Sequence, residues 1–461
     1  MNTAGNKKIY IDTLGCAKNE YDSQVLGAGL RDAGCELTED LGDADVIIVN
    51  TCGFIEAAKK ESISHIFDMA KIKGEDKTLV VTGCLSQRYH SELEKEMPEV
   101  DIFAGVNDYD NLIDIIARSG KNCDIPSEKT DIVAGNAEDI LQYTKREISK
   151  DTGTEFIKIA EGCNNACAFC AIPKIRGKYR SKSIGDVIKE AEDLAGAGIK
   201  ELVLIAQDTS IYGIDIYGKL MLPELLKRLC GVRGIEWIRL MYLYDDNITQ
   251  ELLEVMASEP KICRYVDIPI QHISDDVLSA MGRRSTGSSI RNTIDRIRER
   301  IPDMCIRTTI LIGFPGEKEA DHEELLEFIG KYNLDRVGAF MYSDEEGTAS
   351  YEMDGKIDEF TKKRRFDDLM SLQRDISLDK NRERVGLDLE VIIDEIDGGS
   401  IENNICKTVS PYIYIGRTRQ DAPDVDCEVE FTSSLEHRVG EIVTVYIEDA
   451  TEYDLFGTEV I

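Results

Sequence analysis

Three cysteines spaced C-x3-C-x2-C, at Cys163, Cys167 and Cys170, restrict this chain more than any other feature. They follow Glu155–Ala160, the first of six strand-like apolar runs. The others are Glu201–Ala206, Ile235–Tyr242, Tyr265–Ile268, Ile306–Ile312 and Arg336–Phe340. Helical patterns such as Ile184–Ala197 and Asp321–Lys331 separate the runs. Six β-then-α units in series predict a barrel or partial barrel, whose chemistry gathers at the C-terminal ends of its strands. Three thiolates so close can grip one face of a metal cluster. A structural zinc site needs a fourth ligand nearby; the next cysteine, Cys230, is distant and lies in a helical pattern. Three protein ligands leave one iron of a four-iron cluster open, so the spacing predicts a reactive centre.

The residues before this region alternate in the same way. Lys8–Leu14, Val46–Asn50 and Thr78–Thr82 have strand character, while Tyr21–Ala33, Ile55–Ile72 and Ser91–Glu96 have helical spacing. The pattern predicts an open α/β sheet, with a polar linker over Asp124–Lys150. Cys16, Cys52 and Cys84 each end a strand and each adjoins a glycine. Loops past the carboxyl ends of parallel strands converge on one crevice, so the three thiols are expected to meet. Spacing alone leaves them open to three readings: a second cluster, buried thiols or a redox pair.

From Glu383 onward the helical signal fades and short strands appear, clearest at Leu389–Asp394, Val429–Phe431 and Ile442–Ile447. These predict a small β-barrel. The segment carries 19 acidic against 5 basic residues, and the whole chain has a net charge of −33. Such a surface disfavours general nucleic-acid binding and suits a basic protein partner. No apolar run is long enough to span a bilayer, and Met1–Tyr10 lacks a signal-peptide core, so no membrane role and a cytoplasmic location are expected. Thirteen cysteines, an odd count, argue against a disulfide framework. Cys35, Cys230, Cys263 and Cys305 are expected to be buried apolar residues.

Several loops at predicted strand ends are polar: Ala206-Gln207-Asp208-Thr209, Asp267–His272 and Gly313–Glu317. The basic run Lys174–Arg180 either holds a carboxylate or faces solvent. His272 is a ligand, a base or a structural residue, and no side chain is singled out as the catalytic one.

The C-x3-C-x2-C loop resembles that of radical S-adenosylmethionine enzymes. With Cys16, Cys52, Cys84 and a terminal β-barrel, nearly the whole chain resembles the methylthiotransferases. That resemblance implies a multidomain α/β protein: an N-terminal auxiliary-cluster domain over residues 6–122, a radical core built as a partial (β/α)6 barrel over 149–380, and a TRAM domain over 383–454. It implies two [4Fe-4S] clusters and S-adenosylmethionine as cofactors. Cys163, Cys167 and Cys170 would hold the cluster that binds S-adenosylmethionine; Cys16, Cys52 and Cys84 would hold the auxiliary one; Gln207 and Asp208 would line the S-adenosylmethionine pocket. Thr13–Cys16, Ile175–Ser181, Gln207–Thr209, Arg307–Thr309, Tyr342-Ser343 with Glu346–Thr348, Asp421–Asp424 and Glu452–Leu455 are similar to the branch that methylthiolates an aspartate of a small-subunit ribosomal protein. A flavodoxin- or ferredoxin-like electron donor is then expected. The rival readings are a transfer-RNA adenosine methylthiotransferase and a non-enzymatic iron–sulfur electron carrier. Ala17, Asp245 and Cys427 depart from the family pattern without removing a cluster ligand.

Overall fold

The computed structural model describes residues 7–118, 130–132, 141–143, 145–149, 151–397 and 412–461. The first sheet contains β1 (Lys8–Thr13), β2 (Glu36–Leu37), β3 (Val46–Thr51), β4 (Thr78–Gly83), β5 (Ile102–Ala104) and β6 (Thr130–Ile132), in the order β2-β1-β3-β4-β5-β6. All its pairs are parallel. Every residue of β3 and β4 is buried. Both strands are apolar runs, as expected of parallel strands covered on both faces. Helices α1 (Ala17–Asp32), α2 (Glu56–Lys73), α3 (Cys84–Glu96) and α4 (Tyr109–Arg118) follow the strands.

The second sheet holds β7 (Thr154–Lys158), β10 (Glu201–Ile205), β11 (Trp237–Leu240), β12 (Ile262–Asp267), β13 (Cys305–Ile312) and β14 (Arg336–Met341). A two-stranded hairpin, β8 (Ala160–Glu161) with β9 (Arg180–Ser181), encloses the cysteine loop. The six strands run parallel in chain order, with β7 and β14 as unpaired edges, so the barrel is open. Strand alternation sorts its side chains. Leu202, Leu204, Ile238, Leu240, Val266 and Ile310 pack outward under the helices. Val203, Ile205, Trp237 and Tyr265 point inward and meet Ile392 and Ala422 of the C-terminal domain.

That domain is a closed five-stranded barrel of β15 (Asp388–Asp397), β16 (Tyr412–Thr418), β17 (Val429–Ser433), β18 (Ile442–Ala450) and β19 (Leu455–Glu459). It seals the N-terminal end of the large barrel. Glu201 accepts from Arg239 Nε at 2.7 Å and from Arg417 at 2.9 Å. Asp421 accepts from Arg336 at 2.8 Å, and Asp426 from Tyr265 Oη at 2.7 Å. Cys427 is buried, and Asn381 Nδ2 lies 3.8 Å from its Sγ.

The expected linker behaves differently in its described parts; the rest of Asp124–Lys150 lies outside the described residues. Residues 130–132 add an edge strand to the first sheet. Residues 141–143 and 145–149 pack between the two domains: Arg146 donates to Gln24 at 2.8 Å and lies 3.3 Å from Glu190, and Tyr143 donates to Asp193 at 3.1 Å. Polar composition here reflects a buried ionic seam, not a solvated tether.

Arg417 is buried between Glu201 and Asp394. Removing one partner of a buried pair costs about 3–5 kcal/mol. Arg417→Met is expected to lower stability by that order, read as a fall in the denaturation midpoint.

Candidate functional site

The six singled-out cysteines form two groups at the mouth of the open barrel. Cys16 is the N-cap of α1 and Cys84 opens α3, so both residues sit at helix N-termini. Gly15 has φ of +99°, and a Cβ there would lie 2.7 Å from Cys52 Cβ. Only glycine lets these two loops approach so closely. The three thiols lie within electrostatic reach of one another. Cys84 is buried, which pushes its thiol up to about 11, with the adjoining guanidinium of Arg176 pulling the other way.

Cys163, Cys167 and Cys170 likewise act on one another electrostatically. Backbone N–H groups already face two of them: Asn165 N–H donates to Cys163 Sγ at 3.4 Å and Ile172 N–H to Cys170 Sγ at 3.5 Å. Gly162, at φ +79°, is needed because a Cβ there would lie 2.2 Å from Lys178 O. Arg283 reaches Cys167 Sγ at 3.9 Å, stacked on Tyr244. A cavity of about 180 Å³ opens beside Cys167, lined by Asn165, Tyr244, Asp246 and Arg283 among others.

The short helix α5 (Ile172–Arg176) separates the two groups. Cys170 lies just before its start, and Cys84 packs against Ala171 and Ile175. From its end, Arg176 donates to Cys84 Sγ at 3.3 Å, to Asn19 at 2.7 Å, to Asp22 at 2.6 Å and to Glu161 at 3.1 Å. Asn19, fully buried, also donates to Leu14 O at 2.8 Å and Thr51 O at 3.0 Å, tying together the loops that carry Cys16 and Cys52. Lys158 pairs with Asp22 and Glu161. Sequence reading missed this network. The one available signal was the basic run Lys174–Arg180, and here Arg176 takes the carboxylate-holding alternative while Lys174 and Lys178 are exposed.

The residues present fit iron–sulfur chemistry. Each group offers three free thiols from three backbone positions, with N–H donors or cations beside them. Among the described residues no three His, Cys, Asp or Glu side chains converge on a single ion; a four-iron cluster, with one thiolate per iron, needs its ligands further apart.

Gln207 and Asp208 lie beside the Cys163 loop but differ in what they offer. Gln207 Nε2 donates to Glu161 at 2.7 Å, while its Oε1 is buried without a partner among the described residues. Asp208 is fully buried and accepts from Asn165 Nδ2 at 3.1 Å and from Ser210 N–H at 3.1 Å. Asp245 is buried on Ser285, and burial raises its carboxyl above the usual range. Ala17 packs against the inner face of the barrel. Cys35, Cys263 and Cys305 are buried and Cys230 is half-buried. Cys170 is pushed up to about 12 by burial.

His272 is fully buried; its Nδ1 accepts from Ser274 N–H at 3.1 Å, so the proton resides on Nε2. Burial holds its pKa down at about 4.

Three family models match the chain: "Uncharacterized protein family UPF0004" over residues 8–105, "Radical SAM superfamily" over 157–329 and "TRAM domain" over 385–460. The chain is 44% identical to the ribosomal protein uS12 methylthiotransferase RimO of Acetivibrio thermocellus, covering 98% of each. It is 46% identical to the RimO of Clostridioides difficile, again over 98% of each. Among solved structures, the radical S-adenosylmethionine methyltransferase TsrM of Kitasatospora setae matches with a TM-score of 0.57 at 15% identity, over 75% of this chain and 74% of that one, a likeness of fold alone.

Because His272 is neutral in the fold but binds a proton near pH 6.5 when unfolded, the unfolded state takes up more protons between about 6.5 and 4. Stability is therefore expected to fall as pH drops through that window. His272→Gln should show a shallower loss in denaturation curves at pH 7 and pH 5.

Proposed function

Because this chain belongs to the RimO methylthiotransferases of the radical S-adenosylmethionine superfamily, we propose that it methylthiolates the β-carbon of an aspartate in ribosomal protein uS12, near the decoding centre. The observation that carries the reading is the pair of cysteine groups set on either side of α5 at the barrel mouth. Cys163, Cys167 and Cys170 would hold the [4Fe-4S] cluster that binds S-adenosylmethionine, and Cys16, Cys52 and Cys84 a second, auxiliary cluster. When bound, these cofactors supply the radical and sulfur chemistry that an unactivated C–H bond demands and that acid–base side chains cannot provide.

The protein's own residues position and enclose. Gln207, through its unpartnered Oε1, would meet a polar group of S-adenosylmethionine. Asp208 acts through Asn165, bracing the cysteine loop. Arg176 fixes the auxiliary domain against the core. Glu345 accepts from Lys59 at 3.0 Å and Arg88 at 3.1 Å, clasping α2 and α3 to the loop after β14 and limiting access of water from that side.

A net charge of −33 favours encounter with a basic ribosomal protein over a phosphate backbone. Some of the C-terminal acids are unavailable for this: Asp421 and Asp426 pair inward. A flavodoxin- or ferredoxin-like protein would deliver the electron. Among the described residues no helix is long and apolar enough to cross a membrane; a ribosomal substrate argues for the cytoplasm.

The test is deletion of the gene followed by mass spectrometry of small-subunit proteins and transfer-RNA nucleosides. Loss of methylthio-aspartate from uS12 with unchanged nucleosides is expected; intact methylthio-aspartate would refute the reading. In purified reconstituted protein, Cys163→Ala should abolish S-adenosylmethionine cleavage. Cys16→Ala should retain cleavage, lose sulfur transfer and carry about half the wild-type iron, as expected for two clusters of equal size.

A further inference from the structure

Lys18 stands two residues after Cys16, in the first turn of α1. Its ammonium lies 3.6 Å from the centroid of the Tyr242 ring. Tyr242 follows β11 at the barrel mouth, and two residues later the Tyr244 hydroxyl lies 3.9 Å from Cys167 Sγ. The short segment Tyr242–Tyr244 thus touches the loop of one cysteine group through its first residue and the other group through its last. Lys18, two residues from Cys16, rests on the first of these rings.

The charge at this position is unusual for the region. Arg146, Lys158, Arg176 and Lys182 nearby are all buried against carboxylates. Lys18 is half-buried and, among the described residues, forms no ion pair. A cation–π contact offsets only part of the hydration lost by an ammonium. An arriving carboxylate would add charge-assisted hydrogen bonds.

Tyr242 is held for this placement. Its φ is +61°, a left-handed conformation that costs a bulky residue about 1–3 kcal/mol. Three hydrogen bonds maintain it: its N–H donates to Asp267 Oδ2 at 3.1 Å, and its carbonyl accepts from Thr209 N–H at 3.0 Å and Thr209 Oγ1 at 3.1 Å. Strain kept in this way at a strand end of the barrel mouth marks a position with a task beyond packing.

We propose that Lys18, carried on the ring of Tyr242, binds the side-chain carboxylate of the substrate aspartate. The inference rests on the function proposed above and names the group that selects the residue. An aspartate carboxylate is bonded directly to the β-carbon, so gripping it fixes the reacting carbon between the cysteine groups. A neutral asparagine at that position would lose the ionic part of the contact.

The experiment uses the reconstituted full-length enzyme, with uS12 carrying either aspartate or asparagine at the modified position. Fluorescein-labelled uS12 of each kind is titrated by anisotropy, and methylthiolation is followed by mass spectrometry. The wild type should bind the aspartate form about tenfold or more tightly, the scale of one charged hydrogen bond. Lys18→Met should bring that preference close to unity, raising KM for the aspartate form more than it lowers kcat, with iron and sulfide content unchanged. Lys18→Arg should restore most of the preference. Equal weakening toward both substrates, an unchanged preference, or loss of iron in Lys18→Met would overturn the assignment. A wild type that modifies neither form would refute the functional reading instead, so the two failures are distinguishable.

Discussion

Eight charged side chains meet where α1 lies against the start of the large barrel. Asp22, Glu155, Glu161 and Glu190 face Arg146, Lys158, Arg176 and Lys182, all buried. The ring of Tyr21 sits among three of the cations. Buried ions are tolerated only when their charges balance and their geometry is met, so this interface admits few alternative dockings. An apolar interface of the same area would be more forgiving of sliding. The cysteine loops depend on this rigidity, because Asn19 and Cys84 on one side and Glu161 on the other all bond to Arg176.

The other two joints work in complementary ways. At the far end of the barrel the C-terminal domain brings Arg417, Asp421 and Asp426 to Glu201, Arg336 and Arg307 of the strands, which leaves the opposite end for chemistry. Near the mouth Glu345, itself buried, clasps Lys59 and Arg88, whose side chains are largely shielded from water. It ties α2 and α3 to the loop after β14 with two cations on one carboxylate, so losing either cation leaves the carboxylate only partly balanced.

The grouping of the six cysteines was legible because residue spacing and strand order place particular side chains at particular backbone positions. Cys163, Cys167 and Cys170 are close in sequence, so their convergence follows from chain geometry. Cys16, Cys52 and Cys84 are far apart, and their meeting required the parallel sheet order to be anticipated. Arg176 and Asp208 were harder. A basic run on a short helix has the same sequence pattern whether it faces water or an acid from another domain. An aspartate after a strand has the same pattern whether or not it also holds an asparagine of the neighbouring loop, as Asp208 does.

The chain by itself determined its three-part order, the six cysteines and the acidic balance. Each is a property of residue type and spacing, and the βα rhythm then fixes which ends of the strands carry loops. Tertiary structure decided what spacing cannot encode: that the supposed linker residue Arg146 is buried between Glu155 and Glu190, that α5 separates the two thiol groups, and that Lys18 rests on Tyr242 with no carboxylate among the described residues paired to it. The physical reason is that these contacts join side chains from separate elements, and Lys18 and Tyr242 stand in different domains of the chain. A charge in sequence shows its sign but not its partner, and only the packed fold brings the partner within reach.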